Sequence, residues 1–256
     1  MVSITMKGKR QNKITGIVCW LCILCIVYML NPYKLEYTGY QPKIWAHKVN
    51  TISKLKYTEK FYSGIELDLV YNPTHHLLEV NHPPDLPIGL DLGTYFSEID
   101  DKQLKLWLDI KNLSPENAVE AAEELNRITE KYSMVKQNIM VESPEIQYLP
   151  YFKQLGFRTS FYLPLLFNDQ KELISPRIID SVKNLLKQFP SDGISCHANN
   201  YFLLKEYFKK ERKYLWDFYK PYDLHQIRNY RNFREYVSDP TVDAVLIEVA
   251  LPIGKR

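Results

Sequence analysis

The sequence lacks the cysteines that a disulfide-stabilised domain would need. Three of its four cysteines (Cys19, Cys22 and Cys25) fall in one apolar run, and only Cys196 lies in the rest of the chain. A single cysteine cannot form a disulfide within a domain, so the fold must be held by its own hydrophobic core. With 256 residues, of which 45% are hydrophobic, the chain can bury such a core in one large domain or two small ones.

The sequence also lacks a strong charge of one sign and a glycine-rich nucleotide motif. Its formal net charge is +3, and its basic residues are spread along the chain. A nucleic-acid partner is therefore not expected, and nothing in the sequence indicates a specific protein partner. No Gly-x-Gly-x-x-Gly follows the first predicted strand, which argues against a dinucleotide site.

One long apolar run is present, over residues 14–30 (ITGIVCWLCILCIVYML), and it is just long enough to cross a bilayer. Residues 1–13 before it carry basic side chains and no acidic ones. By the positive-inside rule we expect residues 1–13 to be a basic cytoplasmic N-terminus and residues 14–30 a single transmembrane signal anchor. Residues 31–41 are then a linker, and residues 42–256 form a domain on the extracytoplasmic side.

Three alternatives to the anchor are a cleaved signal peptide, a lipoprotein signal and a buried core helix. Asn31-Pro32-Tyr33-Lys34 is a poor cleavage site, because it offers no small-x-small pattern. Leu24 precedes Cys25, where a lipoprotein signal carries a small residue. An uncleaved anchor is the interpretation we retain, with the membrane as a partner of the N-terminal helix.

Beyond the linker, short apolar runs alternate with segments of helical period. Eight strands are predicted, at Lys43–Val49, Gly64–Tyr71, Leu104–Lys111, Asn138–Glu142, Arg158–Leu163, Gly193–Ala198, Tyr214–Phe218 and Ala244–Val249. Amphipathic helices are predicted at Ser114–Tyr132, Glu145–Leu155, Ser175–Gln188, Tyr201–Arg212 and Asp223–Val237. This alternation favours an α/β fold, a (β/α)8 TIM barrel preceded by one transmembrane helix, over a doubly wound sheet.

Polar residues fall late in these apolar runs. His47 lies near the end of the first, Glu66 and Asp68 in the second half of the second, and Asp109 and Lys111 at the end of the third. Later strands repeat the pattern with Glu142, His197 and Asp217. The active site of a barrel is built from the carboxyl ends of its strands, so we expect these side chains to meet there.

Converging carboxylates repel one another unless a cation compensates them. Three oxygen ligands suit a hard divalent cation, Mg²⁺ or Ca²⁺, better than zinc. Two histidines close by, His47 and His82, could then act as general acid and base near neutral pH.

The order of these residues resembles that of the phospholipase C-like phosphodiesterase superfamily. It is similar to the glycerophosphodiester phosphodiesterases, whose pattern is a histidine, a Glu-x-Asp pair, a second histidine and a later acid-x-Lys. The Asp109-x-Lys111 form is also similar to the sphingomyelinase D-like branch, and Ala46-His47-Lys48-Val49-Asn50 resembles the menorin-like group. These motifs occupy residues 46–112, and the later strands match by layout alone.

The resemblance implies a metal-dependent phosphoric diester hydrolase acting on a lipid headgroup or a glycerol-phosphate-type phosphodiester. A divalent metal would bind Glu66, Asp68 and Asp109, with His47 and His82 as the acid/base pair. Lys111 would neutralise charge on the phosphate in the transition state. The reaction would be either direct hydrolysis by water or formation of a cyclic phosphate by a neighbouring hydroxyl of the substrate. The candidate substrate-binding residues are Asn50, Glu142, His197 and Trp216.

Two positions depart from the glycerophosphodiesterase pattern. Lys48 follows the first histidine where that family usually has arginine, and Pro83 follows the second where it usually has aspartate. They favour the alternative of a catalytically degenerate barrel that binds a polyanion or a protein. A metal-free phospholipase relying on two histidines and an arginine fits less well, because no arginine ends the second or third strand.

Overall fold

The structure is a computed structural model that describes residues 3–30, 34–164, 176–216 and 227–251. The chain forms two compact units, Met1–Thr38 and Gly39–Arg256. The first contains helix α1 (Ser3–Leu30). Among the described residues, no helix has both the length and the apolar character needed to cross a membrane. The transmembrane helix predicted over residues 14–30 is therefore not supported.

The second unit is a closed barrel of parallel strands. Its sheet contains β1 (Ile44–His47), β2 (Gly64–Asn72), β3 (Leu77–Val80), β4 (Lys105–Ile110), β5 (Ile139–Ser143), β6 (Arg158–Leu163), β7 (Gly193–His197), β8 (Arg212–Trp216) and β9 (Val242–Glu248). The order is β1-β9-β8-β7-β6-β5-β4-β2-β3, and β1 also pairs with β2, which closes the ring. All strands except β3 run parallel. The predicted eight-stranded barrel is confirmed, and the open doubly wound sheet is excluded.

The strand missing from the prediction is β3. It pairs antiparallel with the end of β2 through a turn at residues 73–76, so it extends β2 outside the ring as a hairpin. Its inner positions, Leu78 and Val80, are buried, whereas Leu77 and Glu79 are partly exposed. This alternation over four residues is too short to distinguish a strand from a loop in sequence.

Helices surround the ring. They are α2 (Ile52–Thr58), α3 (Leu92–Ser97), α4 (Ala118–Lys131), α5 (Leu149–Gln154), α6 (Pro176–Gln188), α7 (Tyr201–Tyr207) and α8 (Ile227–Ser238). The short helices α2 and α3 were not predicted. The helix predicted to reach Arg212 ends at Tyr207, because Arg212 already belongs to β8. Parts of three predicted elements, residues 175, 217–218 and 223–226, lie outside the described residues.

The inside of the barrel is filled by large apolar side chains. Trp45, Trp107, Met140, Tyr214 and Leu246 form one buried cluster with Ala244. Successive residues of a strand point to opposite faces, so Leu108 takes the helix-facing side of β4 while Trp107 faces inward. Layers of this kind make a TIM barrel a packed core, and they leave only its upper end for polar chemistry.

We expect Gly64→Ala to lower the free energy of unfolding by about 1–3 kcal/mol, because it would overpack this core. A Cβ at Gly64 would lie 2.6 Å from Cε2 of Trp45, closer than side chains tolerate. Urea unfolding measures the loss. In a Trp45→Leu background, where the indole is absent, Gly64→Ala should lower the free energy of unfolding by less. An equal cost in both backgrounds would contradict the packing explanation.

Candidate functional site

A pocket opens at the carboxyl ends of the barrel strands. Its lining consists of His47, Lys48, Glu66, Asp68, His82, Trp107, Asp109, Lys111, Glu142, Tyr162, Trp216 and Leu246. All residues predicted for the site are among them except Asn50 and His197. Asp217, the last polar residue in the predicted pattern, lies outside the described residues.

Three carboxylates form the centre of the pocket. Glu66 and Asp68 share one face of β2, and Asp109 of β4 is the register partner of Asp68. Glu66, Asp68 and Asp109 each have one oxygen within 4.8 Å of the other two. All three residues are buried. An all-oxygen donor set of this size fits a hard divalent cation such as Mg²⁺ or Ca²⁺.

Burial and mutual repulsion make these carboxylates costly to ionise together. Burial raises the pKa of Glu66 well above its usual range, and the charges of Asp68 and Asp109 raise it further. Burial also raises the pKa of Asp109, although Lys111 opposes the shift. A divalent cation at this position would remove the repulsion, since it favours the charged form of every ligand.

Lys111 supplies a fixed positive charge beside the cluster. Its Nζ lies 2.8 Å from Oδ1 of Asp68 and forms a second ion pair with Asp109. Burial alone would lower the pKa of Lys111, but Asp109 and Asp68 raise it overall. The amine is therefore protonated at any physiological pH, as charge neutralisation on a phosphate requires.

His47 lies on the other side of Glu66. Its Nε2 is 3.6 Å from Oε2 of Glu66, and its buried Nδ1 has no hydrogen-bond partner among the described residues. Burial, aided by the positive charge of Lys48, lowers the pKa of His47 to about 3. The imidazole is thus neutral at pH 7, which is the form that accepts a proton. His82 reaches the same pocket from the loop after β3.

The turn after β1 fixes Glu66 through the main chain. Lys48 has a positive φ of 52°, a left-handed conformation that is unfavourable for lysine. Its backbone N–H donates to Oε2 of Glu66 over 2.7 Å. Nζ of Lys54 donates to the carbonyls of His47 at 2.7 Å and Lys48 at 2.9 Å, which stabilises the turn. Because the contact is made by the backbone, it does not depend on whether lysine or arginine occupies position 48.

Asn50 contacts Asp68 instead of lining the pocket. Its Nδ2 donates to Oδ2 of Asp68 at 2.7 Å, and its Oδ1 accepts from the Asp68 backbone N–H at 3.0 Å. The substrate-binding role of Asn50 stays a prediction, and in the structure its side chain is bonded to one of the three carboxylates. Hydrogen bonds of this kind orient metal ligands.

We expect Asn50→Ala to weaken Mg²⁺ binding by about 10–100-fold, because Asp68 would lose the group that orients it. Isothermal titration calorimetry of the metal-free protein measures the affinity. Asn72→Ala is a matched control. Asn72 ends β2, the strand that carries Asp68, but its side-chain amide donates to Glu79 in the hairpin. Equal loss of affinity in both variants would show that the effect is not specific to Asp68.

Aromatic side chains form the rest of the pocket wall. The rings of Tyr162 and Trp216 stack with an interplanar angle of 10° and centroids 6.2 Å apart. His197 packs edge-on against Trp216, and its Nδ1 accepts from the Asn199 backbone N–H; it is not one of the residues that line the pocket. Trp107 was given no role in the predicted site, although strand parity places it on the same face of β4 as Asp109, two positions later. Tyr162, like Glu142, is the penultimate residue of its strand.

Comparison with known proteins identifies the architecture. No protein-family model matches the sequence, and no curated protein matches it. Among solved structures, a glycerophosphodiester phosphodiesterase from Parabacteroides distasonis superimposes with a TM-score of 0.56 and 17% identity, over 82% of this chain and 94% of that one. This likeness shows that the chain shares a (β/α)8-barrel fold with glycerophosphodiester phosphodiesterases.

Two further structures show how far this likeness reaches. A phosphodiesterase from Oleispira antarctica, in complex with the product sn-glycerol-3-phosphate, matches with a TM-score of 0.58 and 10% identity, over 83% of this chain and 94% of that one. A phosphoribosyl anthranilate isomerase from Thermococcus kodakaraensis matches with a TM-score of 0.50 and 13% identity, over 81% and 88%. Since the barrel is shared with an unrelated chemistry, function must be inferred from the pocket.

Proposed function

We propose that the protein is a metal-dependent phosphodiesterase that hydrolyses a lipid-headgroup or glycerol-phosphate-type phosphodiester. The observation that supports this most strongly is the meeting of Glu66, Asp68 and Asp109 in one pocket with two histidines and a protonated lysine. A structural ion pair would not require three buried carboxylates at one point, because their repulsion destabilises the fold. The likeness of the barrel to glycerophosphodiester phosphodiesterases agrees with this chemistry.

Glu66, Asp68 and Asp109 would hold the cation. When bound, a divalent metal supplies Lewis acidity to a phosphoryl oxygen. The buried carboxylates keep their donor oxygens together, and the turn at Lys48 together with Asn50 prevents Glu66 and Asp68 from rotating away. The oxygen-only donor set favours Mg²⁺ or Ca²⁺.

The two histidines would transfer the protons. Neutral His47 would take a proton from the attacking water while the water oxygen forms its bond to phosphorus. His82 would give a proton to the ester oxygen whose bond to phosphorus breaks. Lys111 would balance the negative charge that develops on the phosphoryl oxygens. If a hydroxyl of the substrate attacks in place of water, the same residues would form a cyclic phosphate.

The test is hydrolysis of bis(p-nitrophenyl) phosphate and a panel of glycerophosphodiesters by the full-length protein, with Mg²⁺, with Ca²⁺ and with EDTA. We expect turnover that requires the metal. Phosphorus NMR of the products separates a phosphomonoester from a cyclic phosphate. If no ester is cleaved and calorimetry detects no binding of either cation, the proposal is wrong. A catalytically degenerate barrel that binds a polyanion or a protein then becomes the better explanation. The position of the domain outside a membrane stays a prediction from sequence.

A further inference from the structure

Tyr95 is a buried residue of α3 that the proposed mechanism does not use, and it is not one of the residues that line the pocket. Its hydroxyl donates to the Val49 carbonyl at 2.7 Å. Burial and the negative charge of Glu66 raise the pKa of Tyr95 well above its usual value, so the hydroxyl keeps its proton and donates. A buried tyrosine hydroxyl needs a partner. Here the partner is the backbone of the turn after β1, so the bond joins two separate parts of the site.

The first of these parts is the turn after β1, residues 47–50. It begins with His47, the proposed base, and it contacts two of the three carboxylate residues. The Val49 N–H donates to the Glu66 carbonyl at 2.8 Å, and the Asn50 side chain is bonded to Asp68. The hydroxyl from α3 therefore bonds to the segment that carries the base and contacts the presumed metal ligands.

The second part is the loop between β3 and α3, residues 81–91, which carries His82. At its start, the Asn81 N–H donates to the Asp68 carbonyl at 3.1 Å. Near its end, the Leu90 carbonyl accepts from the Val80 N–H at 2.8 Å, so both ends of the loop are bonded to the hairpin of β2 and β3. The loop then runs directly into α3, which places the proposed acid and the α3 hydroxyl on one continuous segment.

Because α3 follows the His82 loop in the chain and bonds to the turn after β1 in space, it connects the segments that carry the two histidines. We infer that Tyr95 is a positioning residue, whose hydroxyl fixes these two segments together and so fixes His47 relative to His82. This inference rests on the proposed function, in which both histidines act on one phosphodiester. The base and the acid must reach the same phosphate, so a displacement of about 1 Å in either lowers the rate strongly.

Tyr95→Phe in the full-length protein tests the inference, because it removes only the hydroxyl and takes this donor from the buried Val49 carbonyl. We expect kcat for bis(p-nitrophenyl) phosphate to fall by about 10–100-fold while KM changes by less than about 3-fold, since proton transfer belongs to the transition state. Amide hydrogen exchange of the metal-free protein is the second readout. The N–H groups of Val49 and Asn81 should both exchange about 10-fold faster or more, because the two segments would open locally.

Tyr201→Phe is the matched control. Tyr201 is a buried residue of the short helix α7, and its hydroxyl donates to Oδ2 of Asp239 at 3.0 Å, before the start of β9. This variant should keep the wild-type kcat and the wild-type exchange at Val49 and Asn81. Thermal unfolding of both variants measures the general loss of stability. A wild-type kcat in Tyr95→Phe, a loss confined to KM, or an equal loss of kcat in both variants would overturn the positioning role.

Hydrogen exchange separates this inference from the proposed function. If the wild-type protein cleaves no phosphodiester, the phosphodiesterase proposal fails, but the exchange rates still decide whether Tyr95 joins the two segments. Faster exchange at both Val49 and Asn81 in Tyr95→Phe, with no change in Tyr201→Phe, supports the connection. Unchanged exchange at either amide in Tyr95→Phe, or the same increase in both variants, overturns it.

Discussion

Replacing Asp68 with asparagine is expected to reduce kcat/KM for a phosphodiester by at least about a thousandfold. The site would lose one ligand of the proposed cation, and with it the Lewis acidity that the cation supplies. Both carboxylate oxygens of Asp68 have a partner. Oδ1 lies 2.8 Å from Nζ of Lys111, and Oδ2 accepts from Nδ2 of Asn50 at 2.7 Å. Asparagine keeps the shape of the side chain but places an amide where two donors already point.

The measurement is kcat/KM at a Mg²⁺ concentration that saturates the wild-type protein, with calorimetric Mg²⁺ affinity for both proteins. EDTA treatment of the wild-type protein should reproduce the loss, and added Mg²⁺ should reverse it. Asp85→Asn is the matched control, because Asp85 is exposed in the loop that follows His82. An Asp68→Asn protein with wild-type activity and metal affinity would remove Asp68 from the proposed site.

The barrel could be predicted from sequence because buried parallel strands leave a strong pattern. Strands covered on both faces are short, apolar and regularly spaced between helices, and each of the eight predicted runs overlaps a strand of the ring. The elements that were missed are short. Helices α2 and α3 have seven and six residues, too few to establish a helical period, and their N-cap bonds at Thr51 and Asp91 become clear only from the structure.

Tertiary packing overrode local pattern at the end of α7. The charged stretch from residue 205 to 213 is typical of an exposed helix surface, but Lys213 is 1% exposed inside β8. Its amine is satisfied by the carbonyl of Glu211 at 3.0 Å and by Oγ1 of Thr241 at 2.8 Å. Thr241 is 28 residues away in sequence. No local pattern contains this partner, so the strand boundary could not be predicted.

The candidate site divides in the same way. Residues within strands could be assigned because parity and the shared carboxyl end determine where Glu66, Asp68 and Asp109 point. The contacts made by residues in the turn after β1 could not be predicted in this way. Lys48 has a left-handed backbone conformation, which lysine seldom adopts. The hydrogen bond from Asn50 to Asp68 and the one from Lys54 to the Lys48 carbonyl both depend on this turn. Sequence therefore indicated the groups for chemistry and missed those that hold them in place.

His47→Gln is expected to lower kcat/KM by about 10²–10⁴-fold, because glutamine cannot accept the proton of the nucleophile. His75→Gln is the matched control, since His75 lies exposed in the turn between β2 and β3. Both variants should bind Mg²⁺ as the wild-type protein does. Wild-type kcat/KM in His47→Gln, in a folded protein, would exclude His47 as the base.

The pH dependence of the wild-type enzyme tests the state of His47 independently. With its pKa lowered to about 3, His47 is deprotonated throughout the neutral range, so its titration cannot cause a loss of activity near pH 6. Burial raises the pKa of Glu66 and Asp109, so protons compete with the cation for these carboxylates as the pH falls. We therefore expect the acid limb of the kcat/KM profile to move to lower pH as the Mg²⁺ concentration is raised. A limb fixed near pH 6.5 at every Mg²⁺ concentration would instead indicate a titrating histidine and would contradict a neutral, buried His47.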